Sequence, residues 1–151
     1  MRFLERAIKA LGYHVKLDTN GSFPEKLKEL VDEGLLDYVA MDIKNSARKY
    51  GETIGIDGYD PARILESVDY LMTNVVPFEF RTTVVREFHK KTDFEDIALW
   101  LQGDEKYFLQ GFEDSGDLIC EGLRGYNAEI MKQAADIVRE KVPNVAVRGV
   151  D

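Results

Sequence analysis

The sequence predicts an α/β protein in which a parallel sheet of about five strands is connected by crossover helices. Helical and strand-like patterns alternate along the chain, and two apolar runs, 13–17 and 36–41, are rich in β-branched and aromatic residues. Polar clusters follow both runs, at 18–21 (Asp-Thr-Asn-Gly) and 42–44 (Asp-Ile-Lys). Because helical sequence separates the runs, we expect neighbouring parallel strands whose carboxyl ends share a crevice. The sequence therefore predicts a site at those strand ends.

The first part of the chain contains two predicted helix–strand units followed by a less regular segment. Apolar residues at helical spacing predict a helix over 3–11, and a glycine ends it. Strand 13–17 follows, and helix 24–33 then begins with a proline in its first turn. Strand 36–42 comes next. The segment 45–59 holds three glycines and is interpreted as a less regular loop that includes one helical turn.

The remainder of the chain continues the alternation of helix and strand. Asp60 and Pro61 have the pattern of an N-cap and a first-turn proline, and Thr92 to Glu95 has the spacing of a capping box. Five βα units are too few to close an eight-stranded barrel, so an open sheet or an arc of a barrel fits the residues. The predicted elements are helix 60–72, strand 78–85, helix 92–101, strand 107–109, helix 127–142 and strand 145–150.

Length and composition limit the class of protein. A chain of 151 residues is expected to form a single domain over 1–151. The net charge of −8 argues against a nucleic-acid partner, and the chain has no apolar run long enough for a membrane span or signal peptide. The single Cys120 excludes an internal disulfide and fits a reducing, cytoplasmic location. One cysteine also cannot hold an iron–sulfur cluster or a structural zinc.

Four motifs in a fixed order carry a resemblance to a known family. They occupy 17–21, 37–44, 78–85 and 108–112, and together they resemble the radical S-adenosylmethionine (radical SAM) activating enzymes. The likeness is stronger to the anaerobic ribonucleoside-triphosphate reductase activating proteins than to the pyruvate formate-lyase activating enzymes. It implies the third to sixth strands of a six-stranded partial (β/α) barrel, with a trailing helix and strand. The family's Cys-x3-Cys-x2-Cys motif for a [4Fe–4S] cluster does not occur in these residues.

The resemblance implies a monovalent-cation site at the ends of the first two strands. Asp18 and Thr19 match a strand-end pair that helps to hold the cation near the cofactor carboxylate in pyruvate formate-lyase activating enzymes. Asp42 and the backbone carbonyl of Ala40 match its other protein ligands. Carboxylate, hydroxyl and carbonyl oxygens are the ligands that hard cations prefer.

The same resemblance implies residues that contact S-adenosylmethionine. Asp42, Lys44 and Asn20 are expected around the cofactor, and Arg81 matches an arginine that faces it. Gln110 stands where some relatives place a histidine on the last barrel strand. Two other interpretations remain open: Asp18 and Asn20, beside Gly21, form a turn that caps the next helix, and Asp42 with Lys44 forms a solvent-exposed pair.

Two functions follow as hypotheses. By resemblance, the parent enzyme reductively cleaves S-adenosylmethionine and abstracts a hydrogen from a glycine of a partner glycyl radical enzyme. This chain alone is expected to be inactive, since thiolate ligands are required for the cluster. The alternative is a non-catalytic module that binds a partner or a second copy of itself. An unpaired sheet edge favours such association, and we expect a dimer or other oligomer.

Overall fold

A computed structural model describes residues 2–104, 106–113 and 122–150. Its strands form one sheet in the order β1-β2-β3-β4-β5, and the strand pairs β1–β2, β3–β4 and β4–β5 are parallel. This confirms the predicted α/β class with five parallel strands and crossover helices. The elements are α1 (Arg2–Ala10), β1 (Lys16–Thr19), α2 (Pro24–Asp32), β2 (Tyr38–Asp42), α3 (Tyr50–Ile54), α4 (Ala62–Leu71), β3 (Phe78–Val84), α5 (Lys91–Trp100), β4 (Tyr107–Gly111), α6 (Ala128–Arg139) and β5 (Ala146–Arg148).

The chain forms two compact units. The first comprises 1–42 and 60–79, and the second comprises 43–59 and 80–151. In the first unit, helices α2 and α4 are amphipathic, and their apolar stripes supply the buried side chains that stabilise the unit. The fully or almost fully buried residues there include Leu27, Leu30, Val39, Ala40, Met41, Ile64, Ser67, Val68 and Leu71.

The second unit has its core on one face of β3 and β4. Alternate residues of these strands, Phe80, Thr82 and Val84 on β3 with Tyr107 and Leu109 on β4, are buried. Helices α5 and α6 provide the remaining core side chains, which include Phe94, Ile97, Met131, Ala134 and Val138. The opposite face of the same strands carries polar residues.

The first strand begins later than the sequence predicts. Residues 13–17 were expected to be extended, whereas β1 spans Lys16–Thr19. The reason is local: the carbonyl of Val15 accepts hydrogen bonds from the amides of Asp37 and Tyr38, and its own amide donates to Oδ2 of Asp37 at 2.6 Å. Asp18 and Thr19 therefore lie inside the strand and not after it.

Two other local predictions are corrected. The segment 45–59, expected to be mostly loop, contains a 3-10 turn at Ala47–Lys49 and then helix α3. Thr92 does not begin α5; the helix is capped at Lys90, whose amide donates to Oδ2 of Asp93 at 2.8 Å. Asn127 does cap α6 as predicted, by accepting a hydrogen bond from the amide of Ile130.

Cys120 and the irregular stretch around it lie outside the described residues. Within the part of the chain that is described, no helix has the length and apolar character needed to cross a bilayer.

Candidate functional site

Two acidic side chains of the first unit share one face of neighbouring strands. Asp18 on β1 is in register with Ala40 on β2, and Asp42 follows Ala40 by two residues. Because side chains alternate along a strand, Asp18, Ala40 and Asp42 lie on the same face. Asp18 is exposed there and Asp42 is partly exposed. The two carboxylates that the sequence predicts as cation ligands thus lie on one face, two positions apart in register.

The surroundings of these carboxylates are polar. Oδ1 of Asp18 lies 3.9 Å from Nζ of Lys16, whose ammonium also sits 5.7 Å from the ring centroid of Tyr38. The amide of Val39 donates to the carbonyl of Pro77, so the alternation of the strand directs the Ala40 carbonyl towards β1. Two carboxylates and a carbonyl at one strand edge are chemically suited to a hard cation.

Thr19 and Asn20 form the turn between β1 and α2. Oγ1 of Thr19 accepts the amide of Gly21 at 3.1 Å, and Oδ1 of Asn20 accepts the amide of Ser22 at 2.9 Å. Alternation places Thr19 on the face opposite Asp18. For Asn20, these bonds form the turn that the sequence left open, but not the helix cap, because the N-cap of α2 is Phe23 and no side chain caps it.

In the second unit, Arg81 and Gln110 share the polar face of the sheet. Arg81 is in register with Phe108, Thr83 with Gln110, and Gln110 with Arg148. Arg81 is half-buried on this face, and Thr83 beside it is exposed. A guanidinium and an amide on adjacent strands can together bind a carboxylate or hydroxyl groups.

Arg148 is a candidate functional residue that the sequence reasoning missed. Its guanidinium carbon lies 3.3 Å from the ring centroid of Phe108, an arrangement that holds a cationic side chain against the sheet. It lines a surface pocket of about 280 Å³ at the ends of β4 and β5, together with Gln110, Gly111, Glu113 and Gly149. The signal was available, since a polar residue followed by glycine ends both strands.

Lys44 is held by its backbone while its side chain remains exposed. Its amide donates to the hydroxyl of Tyr50 at 3.1 Å, and its carbonyl contacts Nε2 of His89 at 2.8 Å. His89 is buried, and desolvation lowers the pKa of its imidazole. Asn45, also buried, donates to the carbonyl of Phe88 at 3.1 Å. These contacts fix the backbone on both sides of Lys44.

No family model matches the chain. A sequence comparison does find a curated relative, named as a glycyl-radical enzyme activating enzyme, in Methanocaldococcus jannaschii. The two are 33% identical over 153 residues, which cover 98% of this chain. This chain is similar to that activating enzyme over nearly its whole length. It spans 64% of the length of that protein, and this partial coverage fits the resemblance to a C-terminal portion.

Several solved structures share the fold. A domain of pyruvate-formate lyase-activating enzyme from Bacteroides vulgatus superimposes with a TM-score of 0.76 at 14% identity, covering 98% of this chain and 89% of that one. SuiB from Streptococcus suis gives a TM-score of 0.73 at 10% identity, over 98% of this chain and 36% of SuiB. SuiB bound to S-adenosylmethionine gives 0.65, also at 10% identity, over 99% and 34%. At these identities the likeness concerns the fold.

The donor groups of this chain fit some ligands better than others. Among the described residues, no group of three or more His, Cys, Asp or Glu side chains is arranged to hold a metal ion. The pair Asp18 and Asp42, with the Ala40 carbonyl, fits a monovalent cation or the cationic end of a small molecule. Arg81 and Lys44 fit an anionic group.

Proposed function

We propose that this chain is the C-terminal part of a radical SAM activase that acts on a glycyl radical enzyme, and that it supplies polar groups for binding S-adenosylmethionine. The proposal is carried by one observation: Asp18 and Asp42 lie on the same face of adjacent parallel strands. The relative in Methanocaldococcus jannaschii supports it, as does the solvent-facing Lys44 side chain on a fixed backbone.

The roles of the residues follow from their charges. In the first unit, Asp18 and Asp42 would hold a monovalent cation and attract the ammonium group of the cofactor. In the second unit, Arg81 would bind carboxylate or ribose oxygens, and Lys44 would add positive charge. Gln110 and Arg148 would contact the polar groups of cofactor or partner. Bound S-adenosylmethionine would supply the hydrogen-abstracting group, and the protein would orient and shield it.

Calorimetry with S-adenosylmethionine tests the binding step. We expect the wild-type chain to bind weakly, with a Kd of about 1 mM, and Lys44→Ala to weaken binding by about tenfold. Asp42→Asn should also remove any dependence of binding on potassium. Lys132→Ala, on the exposed side of α6, is the matched control and should bind as the wild type does. Equal affinity for Lys44→Ala and Lys132→Ala would contradict the assigned role of Lys44.

Iron–sulfur reconstitution tests whether this chain can hold a cluster. The sequence contains one cysteine, whereas cubane clusters are held by several thiolates. After anaerobic incubation with iron and sulfide, we expect no visible cluster absorption and no stoichiometric iron. A cluster spectrum with iron in stoichiometric amount would overturn this expectation.

A second candidate function is a non-catalytic module that associates with another polypeptide or with itself. The observation in its favour is the position of β1 at one edge of the sheet, where parallel strands can be extended. Light scattering of the chain alone, together with the calorimetry above, separates the two functions. Oligomers without cofactor binding favour the module, and a monodisperse monomer at high concentration contradicts self-association.

A further inference from the structure

Asp93, in the first turn of α5, carries a fully buried carboxylate, with an exposed fraction of 0%. Its Oδ2 receives two hydrogen bonds, from the amide of Lys90 at 2.8 Å and from the ammonium of Lys49 at 3.1 Å. Its Oδ1 lies 4.0 Å from Nη2 of Arg48 and has no hydrogen-bond partner among the described residues. Burial of a charge is costly, and an exposed serine or asparagine would cap a helix equally well. Capping of α5 alone therefore does not account for this carboxylate.

One connection leads from Asp93 through the 3-10 turn to the amide of Lys44. Lys49, which Asp93 binds, is directly followed by Tyr50, and the hydroxyl of Tyr50 accepts the Lys44 amide at 3.1 Å. Tyr50 is buried, and its ring meets the ring of Trp100 edge-on at the far end of α5, with 6.4 Å between the centroids. The group that receives the Lys44 amide is therefore placed by the docking of the turn on α5.

A second connection leads from Asp93 to the carbonyl of Lys44. The amide that Oδ2 of Asp93 binds belongs to Lys90, which directly follows His89. Nε2 of His89 contacts the Lys44 carbonyl at 2.8 Å, and its ring stacks on that of Phe94, the residue after Asp93, with 6.1 Å between the centroids. His89 is 1% exposed, so its ring is enclosed by these neighbours. Its orientation towards Lys44 therefore also depends on the first turn of α5.

We propose that Asp93 is a positioning residue, which sets the place of the Lys44 side chain and through it the affinity of this chain for an anionic group of its ligand. Both polar groups of the Lys44 backbone are held by residues next to those that Asp93 binds. Asp93 is buried whereas Lys44 is exposed, so Asp93 acts without touching the ligand. A small displacement of a binding group is enough to weaken its interaction. The inference rests on the proposed function, in which Lys44 contributes to binding of S-adenosylmethionine.

A double-mutant cycle tests the inference, with binding of S-adenosylmethionine to the full chain followed by NMR titration. Asp93→Asn keeps an oxygen acceptor but removes the charge that holds Lys49, and it should weaken binding by about fivefold. In the Lys44→Ala background the same substitution should change the affinity by less than about twofold, because the group that it positions is gone. Two independent losses would instead add.

Asp96→Asn is the matched control on the same helix. The Asp96 carboxylate pairs with Arg48 at 3.1 Å and its side chain is 43% exposed, so it belongs to neither connection to Lys44. We expect Asp96→Asn to bind S-adenosylmethionine as the wild type does. A loss equal to that of Asp93→Asn would mean that any lost negative charge on α5 has this effect, and would overturn the positioning role.

Amide hydrogen exchange without ligand separates a local effect on Lys44 from a general loss of stability. In Asp93→Asn the Lys44 amide should exchange faster by about tenfold, because its acceptor Tyr50 is held less firmly. The amide of Phe80, which donates to the carbonyl of Lys106 at 3.0 Å, should exchange as in the wild type. Equal acceleration of both amides would show that Asp93 only stabilises the fold, and would overturn the inference.

Failure of this inference and failure of the proposed function give different results. Additive losses in the cycle, or wild-type affinity of Asp93→Asn, refute the positioning role. Wild-type affinity of Lys44→Ala refutes the role of Lys44 in the proposed function. The exchange measurement needs no ligand, so it then still decides whether Asp93 holds Lys44 in place. Circular dichroism confirms that the variants are folded.

Discussion

The imidazole of His89 donates a hydrogen bond from Nε2 to the carbonyl oxygen of Lys44 at 2.8 Å. The tautomer follows from the other nitrogen, since Nδ1 accepts the amide of Val85 at 2.9 Å and so cannot carry the proton. A buried, neutral histidine therefore joins the end of β3 to the residue after β2. It fixes the backbone from which the Lys44 side chain extends.

Protonation of His89 is expected to destabilise the fold at mildly acidic pH. Burial lowers its pKa, so the unfolded chain binds a proton at higher pH than the folded chain does. The free energy of unfolding should therefore be constant above about pH 6.5 and fall below it. Urea titrations at about pH 7.5 and 5.5 measure this difference.

Substitution identifies the histidine responsible. His89→Gln should remove most of the fall between the two pH values, and His14→Gln, at an exposed position, should retain it. His89→Ala should also cost about 2–4 kcal/mol at neutral pH, because it leaves the Lys44 carbonyl and the Val85 amide without this partner. Identical pH dependence in wild type and His89→Gln would contradict the assignment.

The pKa of the Asp37 carboxyl reports on the ion pair that holds α1 through Lys9. The ammonium of Lys9 and then the amide of Val15 lower the pKa of this carboxyl to about 2. A carboxyl with a lowered pKa stabilises the folded chain above its unfolded pKa of about 3.9, and that contribution is lost as the pH falls towards 2. In Lys9→Gln we expect the pKa of Asp37 to rise by about 1. Carbon-13 NMR titration of the carboxyl measures it, with Lys132→Gln as control. An unchanged pKa would show that Lys9 is not the main cause.

The placement of Asp18 and Asp42 on one face of adjacent strands could be predicted from the sequence because it follows from two regular features. Parallel strands align their carboxyl ends, and alternation with a period of two places residues 40 and 42 on one face. The use of Thr19 in a turn could not be predicted, since the same hydroxyl suits a cation and a neighbouring amide equally well. Local sequence does not choose between them.

Other contacts of the site join residues that are far apart in the sequence, and these contacts could not be predicted. His89 was assigned no role because its partner Lys44 lies 45 residues away and the bond goes to a backbone carbonyl, which leaves no sequence pattern. Helix α1 shows a related limit. Its spacing separates an apolar from a charged side, yet only the acidic groups of neighbouring elements, including Glu33, decide which side packs inward.

Gly21 is expected to be intolerant of any side chain. Its φ is +75°, and a Cβ there would lie 2.1 Å from Cε of Met41 and 3.3 Å from Cβ of Ser67. The Ser67 hydroxyl also donates to the Gly21 carbonyl at 2.7 Å, so the backbone cannot move freely. Gly21→Ala should lower the free energy of unfolding by about 2–4 kcal/mol through strain and overpacking.

Gly12 provides the control for this prediction. Its φ is +85°, but a Cβ there meets nothing within 4 Å. Gly12→Ala should therefore show the backbone cost alone, about 1 kcal/mol. Equal losses for the two variants in urea titrations would show that contact with Met41 does not contribute.

The buried hydroxyl groups of Thr82 and Tyr107 in the second unit allow a quantitative test of hydrogen bonding in the core. Oγ1 of Thr82 donates to the carbonyl of Ile43 at 2.6 Å and lies 2.5 Å from the hydroxyl of Tyr107. Since the Thr82 proton is used, Tyr107 must donate to Thr82. Burial raises the pKa of Tyr107, so the phenol stays protonated and keeps this donor role at neutral pH.

Removing both partners of this pair should cost less than the sum of the two single losses. Thr82→Val leaves the Tyr107 hydroxyl and the Ile43 carbonyl without Thr82 as partner, and should lower the free energy of unfolding by about 2–3 kcal/mol. Tyr107→Phe should cost about 1 kcal/mol, and the double variant about 1 kcal/mol less than the sum. Thr82→Ser, which keeps the hydroxyl, should lose less than Thr82→Val. Strictly additive losses in urea titrations would mean that the two hydroxyls do not interact, and the inferred direction of the hydrogen bond would be wrong.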